Sequence, residues 1–79
     1  MVTVEIRVEL KEGVTDPEGK NVNKVLKLLG FKGIENVKSV RIFEIGMSLP
    51  PTDAKLAGEE MCRKVLANPV IHNFTVTVR

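Results

Sequence analysis

Tryptophan and tyrosine are absent from this sequence, and aromatic residues make up only 4% of it. A packed interior must therefore rest on Val, Leu and Ile. Cysteine occurs once, at Cys62, which excludes a disulfide within the chain. Histidine also occurs once, at His72. One Cys and one His are too few soft ligands for a structural zinc site. No apolar run approaches the roughly 18 residues of a membrane span. The first residues enter an alternating pattern directly, without the basic and apolar regions of a secretory signal. A reduced, cytoplasmic location is the default expectation. There are 12 Lys and Arg against 10 Asp and Glu, a net charge of +2. That balance lacks the electrostatic footprint of a nucleic-acid or anionic-membrane binder.

What remains is a chain of 79 residues, 43% of them hydrophobic. This is one domain, spanning 1–79. A single core of this size typically supplies only about 3–5 kcal/mol. Small domains supplement it with disulfides, metals or association. With the first two excluded, association with other chains is the route left open.

Residues 2–10 alternate. Val2, Val4, Ile6, Val8 and Leu10 share one face, and Thr3, Glu5, Arg7 and Glu9 the other, which predicts a half-buried strand. A connection with Gly13 follows. Asp16 and Pro17 then form a helix start, Asp as N-cap and Pro at the first helical position. Val22, Val25, Leu26 and Leu29 give that helix an apolar stripe, and Gly30 a stop. Residues 37–49 predict a long strand in which the apolar phase changes. Val40 and Ile42 have one parity, and Phe43, Ile45, Met47 and Leu49 the other. Either a bulge lies near Ile42–Phe43, with Gly46 as a further bend, or both faces of the strand are covered. Its faces and length together single out Phe43, Ile45 and Met47 as a self-association surface.

Pro50-Pro51 ends that strand, and Thr52 or Asp53 is expected to cap a second helix. Its stripe is Ala54, Ala57, Gly58, Met61, Cys62 and Val65, and Asn68-Pro69 ends it. A last strand turns Phe74, Val76 and Val78 inward. The order β-α-β-α-β predicts an α+β, ferredoxin-like-related two-layer sandwich. Both helices are expected on one face of a mainly antiparallel sheet that oligomerises.

Reacting groups are scarce. No glycine-rich nucleotide loop is present, and neither Ser39 nor Ser48 has a nucleophile-elbow context. Glu12, Asp16 and Glu18 lack the spacing of a calcium loop and read as turn and cap residues. Cys62 lies on an apolar helix stripe, where a thiol acts as a small hydrophobe rather than as a nucleophile served by His72. Lys20, Lys24 and Lys27 form a basic stripe on the first helix, a solvated face or a contact for an acidic partner. No catalytic, cofactor-binding or metal residue is assigned.

Two segments, Leu10–Gly19 (LKEGVTDPEG) and Glu60–Ile71 (EMCRKVLANPVI), together resemble the PurS family, the small subunit of phosphoribosylformylglycinamidine synthase. The first is similar to the family's Gly-Val-x-Asp-Pro-x-Gly loop. The second is similar to its Met-Cys-x-Lys-Leu-Leu-Ala-Asn-Pro-Val-Ile-Glu signature, with His72 in place of the final Glu. The resemblance implies a non-catalytic assembly subunit in purine biosynthesis. Such a subunit joins an ATP-dependent synthetase subunit to a glutaminase subunit and supports ammonia transfer between them. It further implies that ATP and Mg belong to the large partner subunit, and that this chain forms a dimer or tetramer. Gly13, Asp16, Pro17, Gly19, Asn68 and Pro69 become structural or partner-contact residues. The alternative from another class is a small-molecule regulatory module that binds its ligand at a dimer interface.

Overall fold

The computed structural model describes all 79 residues. Strand β1 (Val2–Leu10) lies in the middle of a three-stranded antiparallel sheet. Strand β2 (Val40–Met47) pairs along one edge of it, and β3 (His72–Val78) along the other. Helix α1 (Pro17–Leu28) links β1 to β2, and α2 (Pro51–Met61) leads towards β3. The α+β order and the antiparallel sheet agree with the sequence pattern.

The register explains which residues form the core. Val2, Val4 and Ile6 stand opposite Met47, Ile45 and Phe43 on β2. Val4, Ile6 and Val8 stand opposite Val78, Val76 and Phe74 on β3. All of these share one face, because side chains alternate along each strand. Helix α2 covers that face, adding Ala54 and Cys62 to a core with Val4, Ile6, Val8, Met47 and Ala67. Its approach is close. A methyl group added at Gly58 would lie 3.0 Å from Val4 Cγ1 and 3.2 Å from Val76 Cγ1.

The opposite face is polar. Glu5 lies directly across from Glu44, an unfavourable like-charge pair. Arg79 offsets it, with Nη2 3.0 Å from Glu5 Oε1 and 3.4 Å from Glu44 Oε1.

Four expectations are corrected. The second strand runs over 40–47, not 37–49. It contains no bulge, because its pairing with β1 advances one residue for one residue past Ile42, Phe43 and Gly46. The change of phase has another cause. Phe43, Ile45 and Met47 face inward, while Val40 and Ile42 lie on the polar face, where Ile42 is 58% exposed. The second helix starts earlier than expected. Pro50 is its N-cap and Pro51 its first residue, so Asp53 occupies the first turn. Proline's fixed φ suits that position, and an acidic first turn complements the helix dipole. Lastly, Val65 leaves the apolar stripe and is 80% exposed. A π-helical turn over Cys62–Leu66 closes with the Ala67 amide donating to the Cys62 carbonyl. This wider turn shifts the helical phase and presents Leu66 to the core instead.

The absence of a side chain at Gly58 sets the distance between α2 and the sheet. Gly58→Val is expected to lower stability by about 1–3 kcal/mol through overpacking. Urea unfolding at fixed protein concentration checks this as a lower midpoint with an unchanged slope.

Candidate functional site

The loop that precedes α1 is built around one carboxylate. Asp16 Oδ1 accepts from the Gly19 amide at 2.9 Å, which is the N-cap bond. The same oxygen accepts from Ser39 Oγ at 2.8 Å, and Oδ2 accepts from the Ser39 amide at 2.8 Å. Asp16 thus ties the start of α1 to the residues that enter β2. These three donors, the Gly19 amide foremost, hold its carboxyl below the usual aspartate range. Pro17 occupies the first helical turn. Gly19 is buried, and a Cβ there would collide with the Val37 carbonyl oxygen. Gly13 has φ of +86°, the left-handed region that only glycine enters without strain.

A second knot lies at the other signature segment. The Asn68 amide donates to His72 Nδ1 at 2.8 Å, and Asn68 Oδ1 accepts from the Val70 amide at 3.0 Å. The Asn68 carbonyl accepts from the amides of Ile71 and His72. Pro69 follows through a trans bond. Asn68 and Pro69 therefore form the turn that carries the chain from the π-helical turn into β3.

A cleft of about 450 Å³ lies between these two knots, lined by Asp16, Glu18, Arg41, Leu66 and His72 among others. Its groups do not assemble into a reacting set. His72 Nδ1 is already an acceptor within its own turn, and no hydrogen bond joins His72 to Cys62. The Cys62 thiol is buried, and that burial raises its pKa, which disfavours the nucleophilic thiolate. No three His, Cys, Asp or Glu side chains gather closely enough to hold a metal ion. No helix is long and apolar enough to cross a membrane.

The surfaces are more informative. Phe43, Ile45 and Met47 lie on the inner face of β2; Met47 is in the core, while Phe43 and Ile45 are half-buried at its margin. Lys20, Lys24 and Lys27 are exposed, and none is in an ion pair. They occupy the side of α1 opposite its apolar stripe. That stripe is itself open, with Val22 41%, Val25 44% and Leu29 70% exposed.

The model of the family described as PurS, phosphoribosylformylglycinamidine (FGAM) synthase, matches residues 3–79. The chain belongs to the PurS family. The PurS subunit of phosphoribosylformylglycinamidine synthase from Archaeoglobus fulgidus is 43% identical over 76 residues, which is 95% of this chain and 95% of that protein. The crystal structure of PurS from Methanocaldococcus jannaschii is similar with a TM-score of 0.91 at 37% identity, covering 100% of this chain and 96% of that one. A chain in the structure of PurLQS from Thermotoga maritima has the same fold, with a TM-score of 0.75 at 21% identity over 99% of this chain and 96% of that one.

Ser39 escaped the sequence reading of this PurS-family chain. It lies 23 residues from Asp16 in sequence, and nothing local marks it as the second half of the clamp. Asp16→Asn keeps the shape but removes the charge. Asp16 is lowered in the folded state, so it stabilises the fold above the ordinary aspartate value and loses that effect as pH falls through its own lower one. Asp16→Asn is therefore expected to be less stable at pH 7 and to lose less stability below about pH 4. Urea midpoints at pH 7 and pH 3 for both proteins check the difference in slope.

Proposed function

We propose that this chain is the small assembly subunit of a phosphoribosylformylglycinamidine synthase in purine biosynthesis, and that it has no catalytic centre of its own. The full-length membership of the PurS family carries this reading. It is supported by the surfaces, which leave apolar residues open for partner chains. It is supported also by the chemistry, in which the one thiol and the one imidazole are each held apart from reaction.

In this role the chain joins a large synthetase subunit to a glutaminase subunit, so that ammonia passes between their sites shielded from water. Such a transfer needs sites held in register, which a rigid adaptor supplies without acid or base groups. ATP and Mg²⁺ are held by the large subunit. The chain self-associates as a dimer or tetramer through the inner face of β2, where Phe43 and Ile45 are incompletely covered. The Lys20, Lys24 and Lys27 stripe faces an acidic surface of one partner. The complex works in the cytoplasm.

Reconstitution with the large and glutaminase subunits tests this. Glutamine-dependent product formation is expected to require this chain, and to survive Cys62→Ala. Product formed equally well without the chain would refute the adaptor role. Reversal of Lys20, Lys24 and Lys27 to Glu is expected to slow complex assembly about tenfold at low salt, with the difference shrinking as ionic strength rises. Association kinetics at two salt concentrations check this.

A further inference from the structure

Helix α1 has no place in the core of its own chain. No residue of α1 belongs to the hydrophobic cluster formed by the sheet and α2. Leu28 and Phe31, at and beyond its end, are 77% and 58% exposed, adding to the open stripe. The one buried side-chain acceptor without a donor, Asn23 Oδ1, is also on this helix. The helix has only 12 residues, a length that is marginal in water without packing. It is anchored at one end, where Asp16 and Gly19 bind it to residues 37–39. The whole chain is extended, with a radius of gyration of 15.8 Å and dimensions of 48 × 25 × 15 Å. A compact chain of this length has a radius of gyration of about 12 Å.

The sheet has the complementary defect. Helix α2 packs on β1 and β3, which leaves the β2 side of the inner face as its open margin. Phe43 and Ile45 are there, with Arg41 beyond them. Helix α1 is about 18 Å long, and β2 extends about 26 Å, so the helix can lie across the strand.

We propose that α1 packs on the β2 inner face of a second copy of this chain, and that the second copy returns its own α1 in exchange. A two-fold dimer presents the same patches from both partners. One chain of this protein carries both halves of the contact, an uncovered apolar helix and an uncovered apolar strand face. The docked helix turns Lys20, Lys24 and Lys27 away from the dimer, because they lie opposite its apolar stripe. That leaves a basic face on each side for a third chain. The proposal rests on the self-association reading above and specifies the surface that performs it.

Disulfide trapping tests the geometry. In a Cys62→Ala background, Val22→Cys, Val25→Cys and Leu29→Cys are each mixed with Phe43→Cys or Ile45→Cys and oxidised. At least one mixture is expected to give a disulfide between different chains in tenfold higher yield than the same helix variant mixed with Glu44→Cys, on the opposite face of β2. Equal yields with Glu44→Cys, or links formed only within one chain, overturn the exchange. Hydrogen exchange of the unaltered protein provides a second readout. The α1 amides are expected to gain at least tenfold protection as the dimer forms with rising concentration. An α1 that exchanges equally fast at every concentration, in a protein that native mass spectrometry shows to be dimeric, defeats the exchange but not self-association. A monomer throughout the micromolar range defeats both.

Discussion

Val4 and Ile6 have no exposed surface, because β1 is hydrogen-bonded along both edges and α2 lies directly over its inner face. Every other element is placed relative to these two side chains. The register of β2 puts Ile45 and Phe43 beside them, and that of β3 puts Val78 and Val76 on the other side. Gly58 lets α2 approach within van der Waals distance of Val4 and Val76. The π-helical turn then allows Cys62 and Leu66 to reach the same core despite the short connection to β3. Seven buried apolar residues are few for a protein of this length, and the shortfall follows from α1 standing outside.

This economy of core explains why the PurS-family signatures occur at turns. Asp16 and Asn68 each satisfy three or more hydrogen-bonding groups at points where the chain changes direction. A chain with little buried surface cannot rely on packing to orient its connections. Short polar side chains do this instead, by fixing the backbone locally. The start of α1 and the entry to β3 are thereby rigid, and α1 projects at a defined angle rather than swinging freely from its first turn. For an adaptor, the orientation of such surfaces is its function.

The absence of a reacting set has a positive structural meaning in the same way. Cys62 is a core residue whose thiol is disfavoured as a thiolate by burial. His72 is a turn residue, its Nδ1 occupied by a backbone amide. Both groups are used to hold the fold, and neither is presented to a substrate. The exposed polar face of the sheet is similarly self-contained, with Arg79 placed between two carboxylates that would otherwise repel each other.

The local patterns along the chain were enough to determine the strands, the helices, their order and the inward parity of Val4, Ile6, Phe43 and Ile45. Alternation and helical spacing are properties of neighbouring residues, and so is the capping of α1 by Asp16 and Pro17. The signature at Glu60–Ile71 also pointed to the family, since its residues are contiguous. Three features were decided only in three dimensions. Ser39 meets Asp16 across α1 and the loop after it, a contact that no local pattern encodes. The π-helical turn at Cys62–Leu66 rotates Val65 out of a stripe that regular helical spacing would have kept. Finally, the apolar stripe of α1 showed that the helix needs a covering surface but not which one. A periodicity records that a face is to be buried, and only the packed arrangement reveals that its own sheet leaves that face bare.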